Sequence, residues 1–254
     1  IAARAYSSAE AFSIPLLLSN GSNIAQRAYT FTSLSEITDA GFSTSTQLYK
    51  WASCFFGQTS KDGKKPSVLK VFQKASANQN CKQSISFDAD ASAGNLTITV
   101  GAETTASIAY TADAAAIKSA LDALTGLGTV TVTFNTGATK AGDAEGFTIE
   151  FSGDATVDFA LVSVNIAGLT GVTAATITKT QLGLTAETWA QGYAAAKAAD
   201  DAFYFVGIDI KPDVIADIDT LHTAIEADYK QLWIDSDNAN IKDGTTTNIA
   251  SSIK

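Results

Sequence analysis

Between Ile85 and Ile177 apolar residues recur at every second position. They are Ile85 and Phe87; Leu96, Ile98 and Val100; Ile108 and Tyr110; Val130, Val132 and Phe134; Phe147, Ile149 and Phe151; and a last strand around Ile177. A period of two puts neighbouring side chains on opposite faces, so each strand buries one face only. One helical stretch interrupts, from about Ala112 to Leu124, with Ile117, Leu121 and Leu124 on one side. The pattern predicts a small two-layer or sandwich-like β domain with one helix.

On either side the texture is different. Phe12 to Leu18 is an apolar run of strand length, broken by Asn20-Gly21, and Ala28 to Thr32 is a second extended piece. Ser33 followed by Glu36 predicts a capping box opening a helix that Gly41 ends. A second helix starts at Thr44 or Ser45, carries Leu48, Trp51, Ala52, Phe55 and Phe56 on one face, and stops at Gly57. A basic loop, Lys61 to Pro66, then leads into a buried strand, Val68 to Phe72. Towards the end, Thr185 and Thr188 flank a helix running to about Ala199, and Phe203 to Ile208 is an apolar strand. Pro212 suits a first helical position, and Ile215, Ile218, Leu221 and Ile225 form a stripe. Leu232-Trp233-Ile234 is expected as another central strand, and Thr247 as the cap of a final helix. Strand–helix–strand order implies parallel strands joined by crossovers.

Charge divides the chain at the same places. Residues 1–83 are net +5, residues 84–183 net −7 and residues 184–254 net −7. All three Trp lie in the outer parts. The expected fold class is α/β, α+β overall. Residues 1–83 plus 184–254 form a discontinuous domain with a mixed or parallel sheet, and residues 84–183 form an inserted β-rich domain. At 254 residues, with 46% hydrophobic and 17% charged residues, the chain can build a sizeable core. A net charge of −9 argues against general nucleic-acid binding. No run approaches the ~20 apolar residues of a membrane span. The absence of Met, the start at Ile1 and the terminal Lys254 read as a proteolytic or engineered fragment.

No residue stands out as catalytic, cofactor-binding or metal-binding. His222, the single histidine, has no thiolate or carboxylate company that would make a metal site and is expected as a plain, partly exposed helix residue. Gly57 to Lys65 evokes a phosphate loop, but its spacing is wrong and it follows a helix rather than a strand. Asp235 to Asn240 resembles the start of a calcium loop, but Asn240 and Thr246 stand where Gly and Glu are needed. Lys61, Lys64, Lys65, Lys70, Lys74 and Lys82 form a basic cluster, read either as solubility or as a docking patch for an acidic surface of a neighbouring copy. Cys54, beside Phe55 and Phe56, is expected as a buried thiol, and Cys81 as part of a polar connector.

Tyr29 to Ile37, Gly41-Phe42 and Tyr49 to Gln58, followed by Val68 to Phe72, resemble the first α/β segment of the contractile tail sheath proteins of bacteriophages. Trp189 to Tyr193, Phe203 to Gly207, Ala224 to Trp233 and Asp235 onward to Ile253 resemble the second segment. Ala116 to Leu124 and Gly146 to Gly153 resemble small β modules inserted into phage structural proteins. The resemblance implies a structural, non-enzymatic subunit of the virion, made in the bacterial host cytoplasm, with no cofactor. It would self-associate into a helical sheath around the tail tube, meet the tube protein and baseplate, and contract to drive the tube through the host envelope. Extended terminal arms and a further C-terminal region, which link subunits in that family, are absent from this sequence. The chain alone is therefore expected to be monomeric. The alternative is another phage or secretion-system structural or adhesion component. An enzyme would instead show convergent polar groups in a deep cleft.

Overall fold

The computed structural model describes residues 14–59, 61, 63, 65–153, 157–209 and 215–234. In chain order the elements begin with β1 (Pro15–Gly21), β2 (Ala28–Phe31), α1 (Leu34–Asp39), α2 (Gln47–Phe56) and β3 (Leu69–Ala75). Then come β4 (Cys81–Phe87), β5 (Ala93–Val100), β6 (Glu103–Thr104), β7 (Ile108–Ala109), α3 (Ala114–Asp122), β8 (Val130–Phe134) and β9 (Phe147–Phe151). The last are β10 (Ser163–Asn165), β11 (Leu169–Thr170), β12 (Ala175–Gln181), α4 (Trp189–Ala199), β13 (Phe205–Ile208), α5 (Ile215–Ala227) and β14 (Gln231–Trp233). Phe12, Lys64, Pro212, Asp235 to Asn240 and Thr247 lie outside the described residues.

The chain has an α/β fold in two compact units. The first comprises residues 1–21, 26–76 and 187–254, and the second residues 22–25 and 77–186. Residues 77–83, assigned above to the outer part by their charge and polarity, thus fall in the second unit. β3 ends at Ala75, and Cys81 already opens a strand of the other sheet system.

The first unit is a five-stranded sheet in the order β14-β13-β1-β3-β2. β14, β13, β1 and β3 are parallel, and β2 alone runs antiparallel, against β3. Helices cover both faces, as parallel strands require. Leu17, Leu69 and Val71 pack under Ile37 of α1 and Leu48 and Ala52 of α2. Leu16, Leu18, Phe72, Val206 and Ile208 pack under Trp189, Tyr193 and Ala196 of α4 and Ile218, Leu221 and Ile225 of α5. Two glycines set the helix-to-sheet distance. A Cβ on Gly192 would come within 2.8 Å of the Lys74 Cβ, and one on Gly207 within 2.9 Å of the Trp51 ring.

The helix starts are built as side-chain caps. Ser33 and Thr46 each accept the N–H three residues on, while Thr188 and Gln191 make a full capping box. The Ser33–Glu36 pair differs from the box expected of it. Ser33 does accept the Glu36 N–H, but the Glu36 carboxylate turns back to the N–H and hydroxyl of Thr32.

β14 is an edge strand of this sheet among the described residues, not a central one, and Trp233 is 51% exposed, its ring tilted against that of Phe205. Trp51 is half-buried over Gly207 and stacks on Phe55.

The second unit is a two-sheet sandwich with α3 packed on β8. One sheet runs β12-β4-β9-β8, all antiparallel. The other is built on β5, which pairs β10, β11, β6 and β7. Ile85, Ile98, Ile117, Leu121, Phe147 and Phe151 share one core. The opposite face of the first of these sheets is hydroxyl-lined, with Thr178, Ser84, Thr148 and Thr133 in one cross-strand row.

Candidate functional site

In the first unit β1 has β3, its successor among the parallel strands, on one side and β13 on the other. The winding direction therefore reverses between β1 and β13. In open α/β sheets such a boundary, at the carboxyl ends of the strands, is where ligands characteristically bind.

Here those ends carry Ser19 and Asn20 on β1 and Asp209 just past β13. The Asp209 N–H donates to the Leu18 carbonyl at 3.1 Å, which holds its side chain across the boundary. Ser19 Oγ donates to Asp209 Oδ2 at 2.5 Å, and the Asn20 N–H to Oδ1 at 3.2 Å. Asn20 Oδ1 is buried without a hydrogen-bond partner. Lys74 stands opposite Asn20 in the β1–β3 register and is itself buried. Its Nζ donates to the Glu187 carbonyl at 2.8 Å and lies 4.6 Å from the centroid of the Trp189 ring. The Glu187 carboxylate takes Arg27 at 2.5 Å and the Ala75 N–H at 3.0 Å.

Burial pushes the Asp209 carboxyl above its ordinary range, against the opposing pull of the Ser19 and Asn20 bonds and the Lys74 charge. Burial likewise pushes Lys74 down, opposed by Asp217, Glu187 and Asp209. Both shifts have burial as their first cause, and in each the opposite charge of the other group opposes it. Among the described residues no group of three His, Cys, Asp or Glu side chains is placed to hold a metal ion. A separate groove of about 220 Å³ lies beside β2, over Ala28, Thr30 and Phe72 and against Ala196, with Lys70 and Asp200 among its lining residues. That is below the range typical of small-molecule sites.

The residues weighed from sequence are scattered. His222 is half-buried on α5. Lys70 pairs with Asp200 and Lys82 with Glu150, while Lys74 is buried. Half of the supposed basic patch is therefore neutralised or withdrawn from solvent, and Lys82 belongs to the other unit. Cys54 is exposed, not buried. Leu48 and Ala52 turn α2 towards the sheet, and Cys54 sits about 200° round the helix from Ala52. Cys81 is buried on β4 rather than lying in a connector, and burial pushes its thiol up. The Ser19–Asp209 contact joins residues 190 apart. The one sequence sign of it is an Asp placed directly after the apolar strand Phe203 to Ile208.

No protein-family model matches the chain, and no curated protein matches it in sequence. No helix among the described residues is long and apolar enough to cross a membrane.

Proposed function

We propose that the chain is a structural subunit of a contractile phage tail sheath, a non-enzymatic component of the virion. The reading rests on one observation together with the resemblance given above. The two stretches that carry the resemblance are separated by more than 100 residues, yet they join in one mostly parallel sheet, with Leu17 of β1 in register with both Val71 of β3 and Gly207 of β13. An α/β unit interrupted by a sandwich unit suits a polymer in which whole subunits repack. Repacking between two arrangements of such bodies is sufficient to store and release the work of contraction. On this reading the partners are further copies of the same protein, the tail tube protein and the baseplate, and no cofactor is needed.

The test is electron microscopy of the purified gene product that contains this chain. Hollow helical tubes are the expected image. Dispersed particles across protein concentration and salt, or decoration of a particle surface without tubes, would overturn the sheath reading. The second of these would favour an adhesion or accessory component.

A further inference from the structure

Within the α/β unit, Asn20 of β1 is paired with Lys74 of β3, two residues on from the pair Leu18 and Phe72. Alternation along the strands puts both side chains on the face that Leu18 and Phe72 share, under α4 and α5. Neighbouring strands lie about 4.8 Å apart, so a lysine is long enough to reach the side-chain carbonyl carbon of the residue paired with it. Lys74 is 6% exposed, and its stem runs beneath Gly192 of α4. Its charge feels Asp217 of α5 and Asp209 past β13 as well as Glu187, which sets Nζ on the side of β3 that faces β1. The Asn20 amide oxygen is buried and accepts no hydrogen bond, while Asp209 Oδ1 fixes the Asn20 main chain by taking its N–H at 3.2 Å. A buried ammonium and an unpartnered amide oxygen each cost stability, and here they belong to cross-strand neighbours.

We propose that Lys74 and Asn20 are the site of a covalent cross-link, an amide bond from Lys74 Nζ to Asn20 Cγ that ties β3 to β1 after folding. The Nζ lone pair attacks Cγ, the new C–N bond forms, and the Cγ–Nδ2 bond breaks. An ammonium side chain enters and an ammonium ion leaves, so the protons that Nζ sheds end on the departing nitrogen, and the balance needs no oxidant or other co-reactant. Burial disfavours the Lys74 ammonium and so favours the amine, the form that can attack. An amide is a poor electrophile in water, but groups held side by side react as if at effective concentrations of up to about 10⁵–10⁸ M. The bond closes the chain from Asn20 to Lys74, with β2, α1 and α2 inside, into a covalent ring. The cross-link does not rest on the sheath reading and stands or falls separately from it.

The test is the intact mass of the purified whole chain, followed by mapping of its peptides. The mass should fall short of that of the sequence by one ammonia, a loss that denaturant does not reverse, and a branched peptide should join Asn20 to Lys74. Lys74→Arg should restore the full mass of its own sequence and abolish the branched peptide, and Asn20→Ala should do the same. Asn20-Gly21 can also lose ammonia by closing a succinimide on its own backbone, which hydroxylamine cleaves and an amide cross-link resists. Hydroxylamine cleavage at that point, or the full sequence mass in the folded unaltered protein, would overturn the cross-link. The mass and peptide map of the unaltered protein decide the matter even if neither variant folds.

Discussion

The two units differ in where they place some of their charged side chains. In the sandwich, carboxylates tie loops by accepting backbone N–H groups, Asp88 at the surface and Asp143 buried. Asp88 accepts the N–H groups of Thr173 and Ala174 and the Thr173 hydroxyl. Asp143 takes the N–H groups of Thr139 and Lys140, and Glu103 takes the N–H of Thr125 at 2.5 Å. In the α/β unit, charge is drawn inward: Lys74 is buried, Lys230 lies over the Phe203 ring at 3.7 Å from its centroid, and Asp209 lies under cover at the carboxyl edge of the sheet. N–H bonds to a carboxylate favour its ionised form and burial disfavours it; the bonds win at Asp88 and at Asp143, and burial wins at Asp209. Net charge, −7 in residues 84–183, therefore does not say which way a unit answers to acid.

The largest expected effect tests whether the sandwich stands on its core. Phe147 is fully buried between the sheets, and Phe147→Ala should cost about 3–5 kcal/mol, read as a fall in the urea midpoint. A loss below about 1 kcal/mol would mean that the loop ties, not the core, carry that unit.

Asp88→Asn comes next. The Thr173 hydroxyl, then the two N–H donors, hold the Asp88 carboxyl at about 2, below its ordinary 3.8. A lowered value gives stability that is present above the ordinary value and lost as pH falls towards the folded one. The variant should therefore be less stable than the parent at pH 7, and the gap should close between about pH 4 and pH 2.

Asp209→Asn should do the reverse. Its raised value means that the ionised form is disfavoured in the fold, a cost present at neutral pH that disappears once the pH falls below the ordinary carboxyl value. The variant should be more stable at pH 7 and lose its advantage by about pH 3. An advantage that persists there, in parallel urea melts, would assign the effect to packing instead.

Trp233→Ala is the smallest, below about 1 kcal/mol, because half of the side chain is already in water. Iodide should quench Trp233 readily in the native protein and Trp189 hardly at all.

The alternation in the sandwich strands was legible because each has one wet face, and the pattern follows directly from that. The parallel strands of the other unit were legible as apolar blocks, but their order was not. Leu232-Trp233-Ile234 has the composition of a central strand, yet its place at the edge is decided by β13 lying between it and β1. Lys70 and Lys74 alternate with Phe72 on one face of β3, so they had to pass under α4, but isolated from that helix they look like surface charge. The Ser19–Asp209 contact and the bond from the Ile24 N–H to Gln79 Oε1 join residues 190 and 55 apart and have no local signature. Pattern reading recovers what neighbours in sequence determine and misses what the fold brings together.

The discontinuity of the five-stranded sheet also has a consequence in time. β1 needs β13 on its free side, and roughly 130 residues separate Ala75 from Phe205. At a synthesis rate of about 5–20 residues per second, the growing chain carries a central strand paired on one side only for roughly 6–26 s. The sandwich, complete by Ala186, can close during that interval while β1 waits with its edge open. On the ribosome, then, the segment encoded first in the α/β unit is among the last to be finished, and β1 is the place where a chaperone would have most to protect.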